Sequence, residues 1–308
     1  EVDQASQAAN RVVHVAEGFA HGQPRALSPR AVREAIVNGT VHRDWGSPQP
    51  TTIEHIGDTV VVTSPGGFIG GIEPSNIITH PAVPRYRSLA EAMAALRLAE
   101  REGIGVDRMV RDMLAVGHHE PEITEIAGPY VRVGLIGGDP DEEVVALLAA
   151  VDPEAFATDV DALLVVEHLS RYGWIDVETA APVVQRPLAE TDAALHRIAG
   201  VRVDGEPLIT PIDGVPAGHP PAYRLGDTAL GKLTKRTATL RAADRRREVV
   251  LAWARARRRV SSTEVADLTG LSVPSAGALL TALEQDGLLA QGRENKLGRG
   301  FFYVPVDE

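Results

Sequence analysis

Glu34 and Asn38 stand four residues apart in REAIVNGTVHRDW, Arg33 to Trp45, which puts a carboxylate and an amide on one helix face, one turn from each other. His42, Arg43 and Asp44 follow at once. Two readings are open for so polar a stretch: a solvated helix face running into a charged turn, or one wall of an ATP site. Three other stretches have the residue types for chemistry and lack the pattern. HRD would suit a kinase catalytic loop, but no trailing asparagine, DFG or upstream lysine strand follows in order, so helix termination and loop anchoring fit it better. GDTALGKLT, Gly226 to Thr234, nearly fits a phosphate loop but places Leu233 where Mg²⁺ needs a hydroxyl. His118, His119 and Glu120 lack zinc-ligand spacing, and a surface loop is the expectation.

The elements that must position these residues follow from periodicity. To about Gly138 the chain mixes helical and strand patterns: a helix around Arg30 to His42, a hairpin of TTIEHIG and TVVVTSP turning at Gly57-Asp58, a helix from Leu89 to Arg101, and a strand YVRVGLIG. GGDPDEE, Gly137 to Glu143, reads as a boundary. Beyond it come helices VDALLVVEHLSRYGW, IDVETAAPVVQ and LAETDAALHRIAG, a strand VRVDGEPLI, a Pro/Gly-rich loop and a strand YRL. RRREVVLAWARARR, SSTEVADLTG and VPSAGALLTALEQDG repeat the order more cleanly, with Ser261 and Glu264 spaced as a capping box, and LLAQGRENKLGRGFFYVP supplies strand, basic loop and strand. Helix, turn, helix and wing is the winged-helix pattern. The expectation is an α+β chain: residues 1–138 an α/β domain, 139–230 an acidic first winged helix for interaction, and 231–308 a basic second winged helix for DNA.

Composition sets limits. The 308 residues contain no cysteine, which excludes disulfides and thiolate chemistry and fits a reducing, cytoplasmic setting. No apolar run approaches the roughly 20 residues of a bilayer span, so no membrane is expected. The chain begins at Glu1 without methionine or a signal-peptide pattern, which points to processing or excision and leaves room for an upstream domain. The net charge of −11 is uneven. Residues 232–259 hold 11 Lys or Arg against two acids, +9; residues 139–227 hold 17 acids against five Arg, −12. The first stretch could neutralise phosphates and the second would be repelled by them.

Pattern alone reaches a mixed α/β domain with a glycine-rich loop. Three ordered blocks go further: REAIVNGTVHRDW, VVVTSPGGFIGG and EREGIGVDRM. Through them Pro24 to Gly138 resembles the GHKL (Bergerat-like) ATPase superfamily, and specifically the ATP-binding module found downstream of Schlafen/AlbA-type domains in bacterial regulators called RecG-like. The resemblance implies an α/β sandwich with Glu34 orienting or deprotonating water and Asn38 ligating Mg²⁺ that bridges the phosphates of ATP. It implies nucleotide contacts from Ser64, Gly66 and Gly67, and approach of the phosphates to backbone amides at Gly103 and Gly105. Arg43 is open between anchoring its loop and touching phosphate. Ser64 stands where many GHKL enzymes carry the adenine-reading aspartate, although SPG is common in this module. Gly39 replaces the usual alanine and weakens the helix by about 1 kcal/mol, and Tyr86 replaces an asparagine.

In the last segment VPSAGALLTALEQDG would enter the major groove, with Ser272 and Ser275 at its leading end and no arginine there. Positive charge comes from Arg293, Lys296 and Arg299 in the wing and from Arg245, Arg246, Arg247 and Arg255 to Arg259 in the first helix, which favours phosphate-dominated contact with double-stranded DNA. The expectation is an ATP-responsive, DNA-binding transcriptional regulator acting as a homodimer, with nucleotide as a conformational ligand. The alternatives are a DNA-stimulated GHKL-type ATPase and an interaction scaffold with a degenerate nucleotide site.

Overall fold

A buried asparagine ties the first two helices together. Asn10, at the end of α1 (Val2–Ala9), donates to the carbonyl of Leu27 at 2.8 Å and accepts from its amide at 3.1 Å. Ser28 then caps α2 (Pro29–Val41), accepting from the Ala31 amide, with Pro29 at the first helical position. Ala31, Val32, Ala35, Ile36 and Gly39 form its buried stripe, and Glu34 and Asn38 lie beside it. The hairpin of β1 (Thr52–Ile56) and β2 (Thr59–Pro65) pairs Ile56 with Thr59 across Gly57, whose φ of 58° suits the turn. Next come α3 (Arg87–Ala95), α4 (Gly105–Leu114), β3 (Glu122–Ile126), β4 (Tyr130–Ile136) and α5 (Glu142–Ala149). The antiparallel sheet runs β1-β2-β4-β3. Along β2, Val60, Val62 and Ser64 point to the buried face, where α2 and α4 pack through Val32, Ile36, Met109 and Met113.

The computed structural model describes residues 1–13, 25–96, 98, 105–293 and 300–306. They fall into two compact units: Glu1–Ala149 with Ala157–Leu163 and Val184–Pro187, and Ala150–Phe156, Leu164–Val183 and Leu188–Glu308.

In the remainder of the chain one order of elements occurs twice. After β5 (Val151–Asp152) come α6 (Val160–Tyr172), β6 (Ile175–Asp176), α7 (Val177–Val184) and α8 (Leu188–Ala199), then β7 (Arg202–Val203), β8 (Glu206–Pro207), β9 (Ile209–Pro211) and β10 (Ala222–Leu225); β10 pairs with both β9 and β6. A short α9 (Asp227–Lys232) leads to α10 (Ala243–Arg257), the isolated bridge residue Val260, α11 (Ser262–Thr269), α12 (Val273–Gln285), β11 (Leu289–Gln291) and β12 (Tyr303–Pro305). There β12 pairs with β11, and its Tyr303 pairs with Val260. The capping box of Ser261 and Glu264 starts α11, and α12 follows at 110° across the turn at Gly270. Among the described residues no single helix is long and apolar enough to cross a membrane.

Three sequence expectations change. VRVDGEPLI is two strands of a tight hairpin plus a third, because Asp204 and Gly205 both take positive φ, 51° and 87°, and reverse the chain. β3 was not expected: its isoleucines, Ile123 and Ile126, stand three apart and break the alternation of a half-buried strand, on an edge strand that is mostly exposed. His118 is buried rather than on a surface loop, and burial holds its imidazole below the usual range, whereas the side chain of His119 is exposed.

Candidate functional site

Above the sheet and beside α2 lies a cavity of about 590 Å³. Glu34, Asn38, Ser64, Gly66, Gly67 and Gly105 all line it. Burial raises the Glu34 carboxyl above its ordinary range, while a hydrogen bond from Asn38 and the charges of Arg108 and Arg33 pull the other way. A Cβ on Gly105, the first residue of α4, would collide with the Glu34 carboxylate. The close approach that Gly105 permits is thus that of Glu34, a negative group at a helix N-terminus. Gly103, expected at the phosphates, lies outside the described residues.

Ser64 is buried beneath α2, and its hydroxyl donates to the Gly39 carbonyl at 2.6 Å. Thr51 reaches the same carbonyl at 3.3 Å. A serine hydroxyl has one proton and two lone pairs, so with its proton engaged Ser64 presents only acceptor capacity to the cavity. That is the polarity an adenine amino group requires, supplied by a neutral oxygen. Gly39 has its own reason to be glycine: an added Cβ would stand 2.6 Å from Cγ1 of Val62.

The glycine loop is held from two sides. Gly66, at φ 100°, donates its amide to the Pro129 carbonyl at 3.0 Å, and a Cβ there would meet Asp44. Glu125 on β3 accepts from the Phe68 amide at 2.7 Å and lies against Gly67. Arg43, a nucleotide candidate in the sequence, is not in the cavity wall. Its guanidinium donates to the carbonyls of Ser47 and Gln49 and stacks 4.8 Å from the Trp45 ring, so it anchors the loop after α2. Arg85 lines the cavity, as does Arg87, and it joins the His42 carbonyl at 3.3 Å to that of Gly67 at 2.5 Å. Sequence reasoning missed it because no spacing marks an arginine 42 residues after the Arg43 it replaces. His42 also lines the cavity; burial, and then Arg85, lower its pKa and favour the neutral ring. Asp44 accepts from the Gly46 amide and the Tyr86 hydroxyl, which hold its carboxyl low and give Tyr86 a role at its unexpected position.

The cavity has the volume of a small-molecule site, with Gly66, Gly67 and Gly105 in its wall. Among the described residues no group of three or more His, Cys, Asp or Glu could hold a metal. Mg²⁺ would therefore need the phosphates themselves as ligands, with Asn38 adding an oxygen.

In the last segment, Ser272 caps α12 by accepting from the Ser275 amide, and the two hydroxyls are 2.8 Å apart. Both are exposed, as is Val273. The first-helix arginines are more occupied than their count suggests. Arg245 bonds Glu248 and the Arg171 carbonyl, Arg247 pairs with Asp286, Arg257 pairs with buried Asp176 at 2.9 Å, and Arg259 with Glu264. Arg236 and Lys232 pair with Glu167 and Asp204 of the acidic segment. Opposite charges separated along the chain thus neutralise each other, and the local +9 is not a free cationic surface. Arg246 is partly buried, Arg293 is exposed beside the Phe302 ring, and Lys296 and Arg299 lie outside the described residues.

Comparison with known families agrees with this layout. Residues 49–135 match the family described as "Putative ATP-dependent DNA helicase recG C-terminal", residues 143–227 a family of unknown function (DUF5635), and residues 242–293 the IclR helix-turn-helix domain. The chain therefore carries a RecG-like ATPase-type domain followed by an IclR-type helix-turn-helix. The first match begins after α2, so Glu34 and Asn38 join the site through geometry rather than through that match. The chain is similar to the solved DIP2311 protein from Corynebacterium diphtheriae, with 28% identity and a TM-score of 0.86 over 99% of this chain. It spans 53% of that protein's chain. No functionally curated protein matches it.

Proposed function

We propose that this chain is an ATP-responsive, DNA-binding transcriptional regulator in which nucleotide acts as a conformational ligand. One observation carries the reading: the polar helix pair Glu34 and Asn38, the acceptor Ser64 and the glycines 66, 67 and 105 converge on one cavity of about 590 Å³ in a chain that also bears a helix-turn-helix. ATP would place its adenine amino group toward Ser64 and its phosphates toward Asn38 and Glu34. With the Asn38 amide nitrogen engaged by Glu34, its carbonyl oxygen is the group left for Mg²⁺. A bound nucleotide can shift the protein only through its different affinity for two arrangements.

The chain is read as segments 1–138, 139–230 and 231–308, the last two as winged helices that share one apolar cluster. The repeated order helix, short strand, two helices and hairpin supports that reading, with β6 and Val260 in equivalent places. Duplex DNA would be held by α12 and by Arg293, Lys296 and Arg299, with a homodimer addressing two half-sites. Calorimetric titration of ATP and Mg²⁺ into the unaltered chain and into Asn38→Ala tests the site. Binding to the first and its loss in the second is expected; no binding to the first overturns the reading. The raised pKa of Glu34 favours a second reading, hydrolysis, since a carboxylate base works better as its pKa approaches neutrality. DNA-stimulated phosphate release abolished in Glu34→Ala would establish it.

A further inference from the structure

The wall of the nucleotide cavity farthest along the glycine loop is formed by Ile72, Ile77 and His80. Nothing in residues 71–80 is buried. On its other side the same loop borders a second hollow of about 310 Å³, lined by Pro74, Ile77, Ile78, Val110, Thr124 and Gln185. Ile77 lines both spaces. A wall with a void on each side cannot be located by packing, so its position depends on directional bonds.

One residue supplies three of them. Gln185 accepts from the Ile78 amide through Oε1 at 2.8 Å and donates through Nε2 to the Pro74 carbonyl at 2.9 Å. Its own carbonyl accepts from the Thr79 hydroxyl at 2.6 Å. The two ends of one amide thus grip the loop four residues apart, and the backbone adds a third contact. To do so Gln185 adopts φ 55°, a conformation that non-glycine side chains disfavour and that surrounding contacts must maintain. Gln185 is 50 residues beyond the end of the ATPase-type match at 135, inside the stretch assigned to a family of unknown function.

We infer that Gln185 is a positioning residue for the nucleotide site, a latch that holds Pro74–Thr79 as the wall of the cavity and so sets nucleotide retention. This rests on the cavity being the ATP site. The ATPase-type segment is then incomplete by itself: its wall is fastened by a side chain from the following stretch.

Gln185→Gly tests it in the full chain, because glycine accepts the left-handed backbone and removes the side-chain grip. With two neutral hydrogen bonds lost, the Ile78 amide should exchange hydrogen about tenfold faster without nucleotide, and the ATP dissociation constant should rise about tenfold, the melting temperature not falling. Gln185→Glu, which can accept from Ile78 but not donate to Pro74, should fall between. Unchanged exchange, or faster exchange with unchanged ATP affinity, overturns the latch while leaving the ATP site intact. An unaltered chain that binds no ATP overturns the site and the latch together.

Discussion

Replacing Gly39 by alanine sets two magnitudes against each other. Alanine is the better helix former by about 1 kcal/mol, so propensity alone predicts stabilisation of α2. The structure predicts the opposite sign. The new methyl would lie 2.6 Å from Cγ1 of Val62, about 1 Å inside ordinary carbon contact. Val62 is 1% exposed and β-branched, so it has little freedom to turn aside. Relief requires α2 to lift from β2, which lengthens the bonds from Ser64 and Thr51 to the Gly39 carbonyl. Overpacking of this kind costs about 1–3 kcal/mol, and one weakened hydrogen bond about 1 kcal/mol more. The net expectation is a loss of about 1–3 kcal/mol, read as roughly five- to hundredfold faster native-state hydrogen exchange at the Ala35 and Ile36 amides. Adding Val62→Ala should recover part of that loss, with a coupling of about 1 kcal/mol between the two sites. Slower exchange in Gly39→Ala would refute the reasoning, because the close approach of helix and strand would then not be what requires glycine.

Two further outcomes follow from charge. His168 in α6 is held at a pKa of about 4 by burial, below its ordinary 6.5, so the unfolded chain binds a proton that the folded chain refuses between those values. Stability is complete above pH 6.5 and falls by about 1.4 kcal/mol per pH unit toward pH 4, a slope that His168→Gln should flatten in denaturant titrations across that range. If the proposed DNA face is right, replacing Arg293, Lys296 and Arg299, which fall between β11 and β12 in sequence, together by alanine should reduce the salt dependence of duplex binding by a log–log slope of about 2–3, whereas Arg245→Ala, whose guanidinium is already engaged, should leave it nearly unchanged.

Local signals were legible in the sequence, and those that depend on distant partners were not. Ser261 with Glu264 and Gly57-Asp58 act within a few residues, and each starts or turns an element as their types require. Glu34 and Asn38 could be placed on one helix face from spacing alone, and both line the cavity. Arg85, Glu125 and Gln185 could not, because each acts on backbone groups far away in sequence. The Asp204-Gly205 turn occupies only two residues of VRVDGEPLI, whose flanking apolar residues suggest one strand. Charge misled most, since counting along the chain treats Arg257 and Asp176 as belonging to separate segments when they share one buried pair.

That pair lies beside a larger joining of the same two stretches. Trp174 meets Trp253 edge-on at 5.1 Å, and Trp174, Ile212 and Ala222 belong to one apolar cluster with Val250, Leu280, Leu283 and Leu289. The helix-turn-helix is consequently not a detachable module. A fragment beginning at residue 231 would bare one side of Trp253 to water and leave Arg257 without its carboxylate. The acidic and basic halves should therefore melt in a single transition, and a backbone cut between α9 and α10 should leave them associated, as two pieces of one cooperative folding unit.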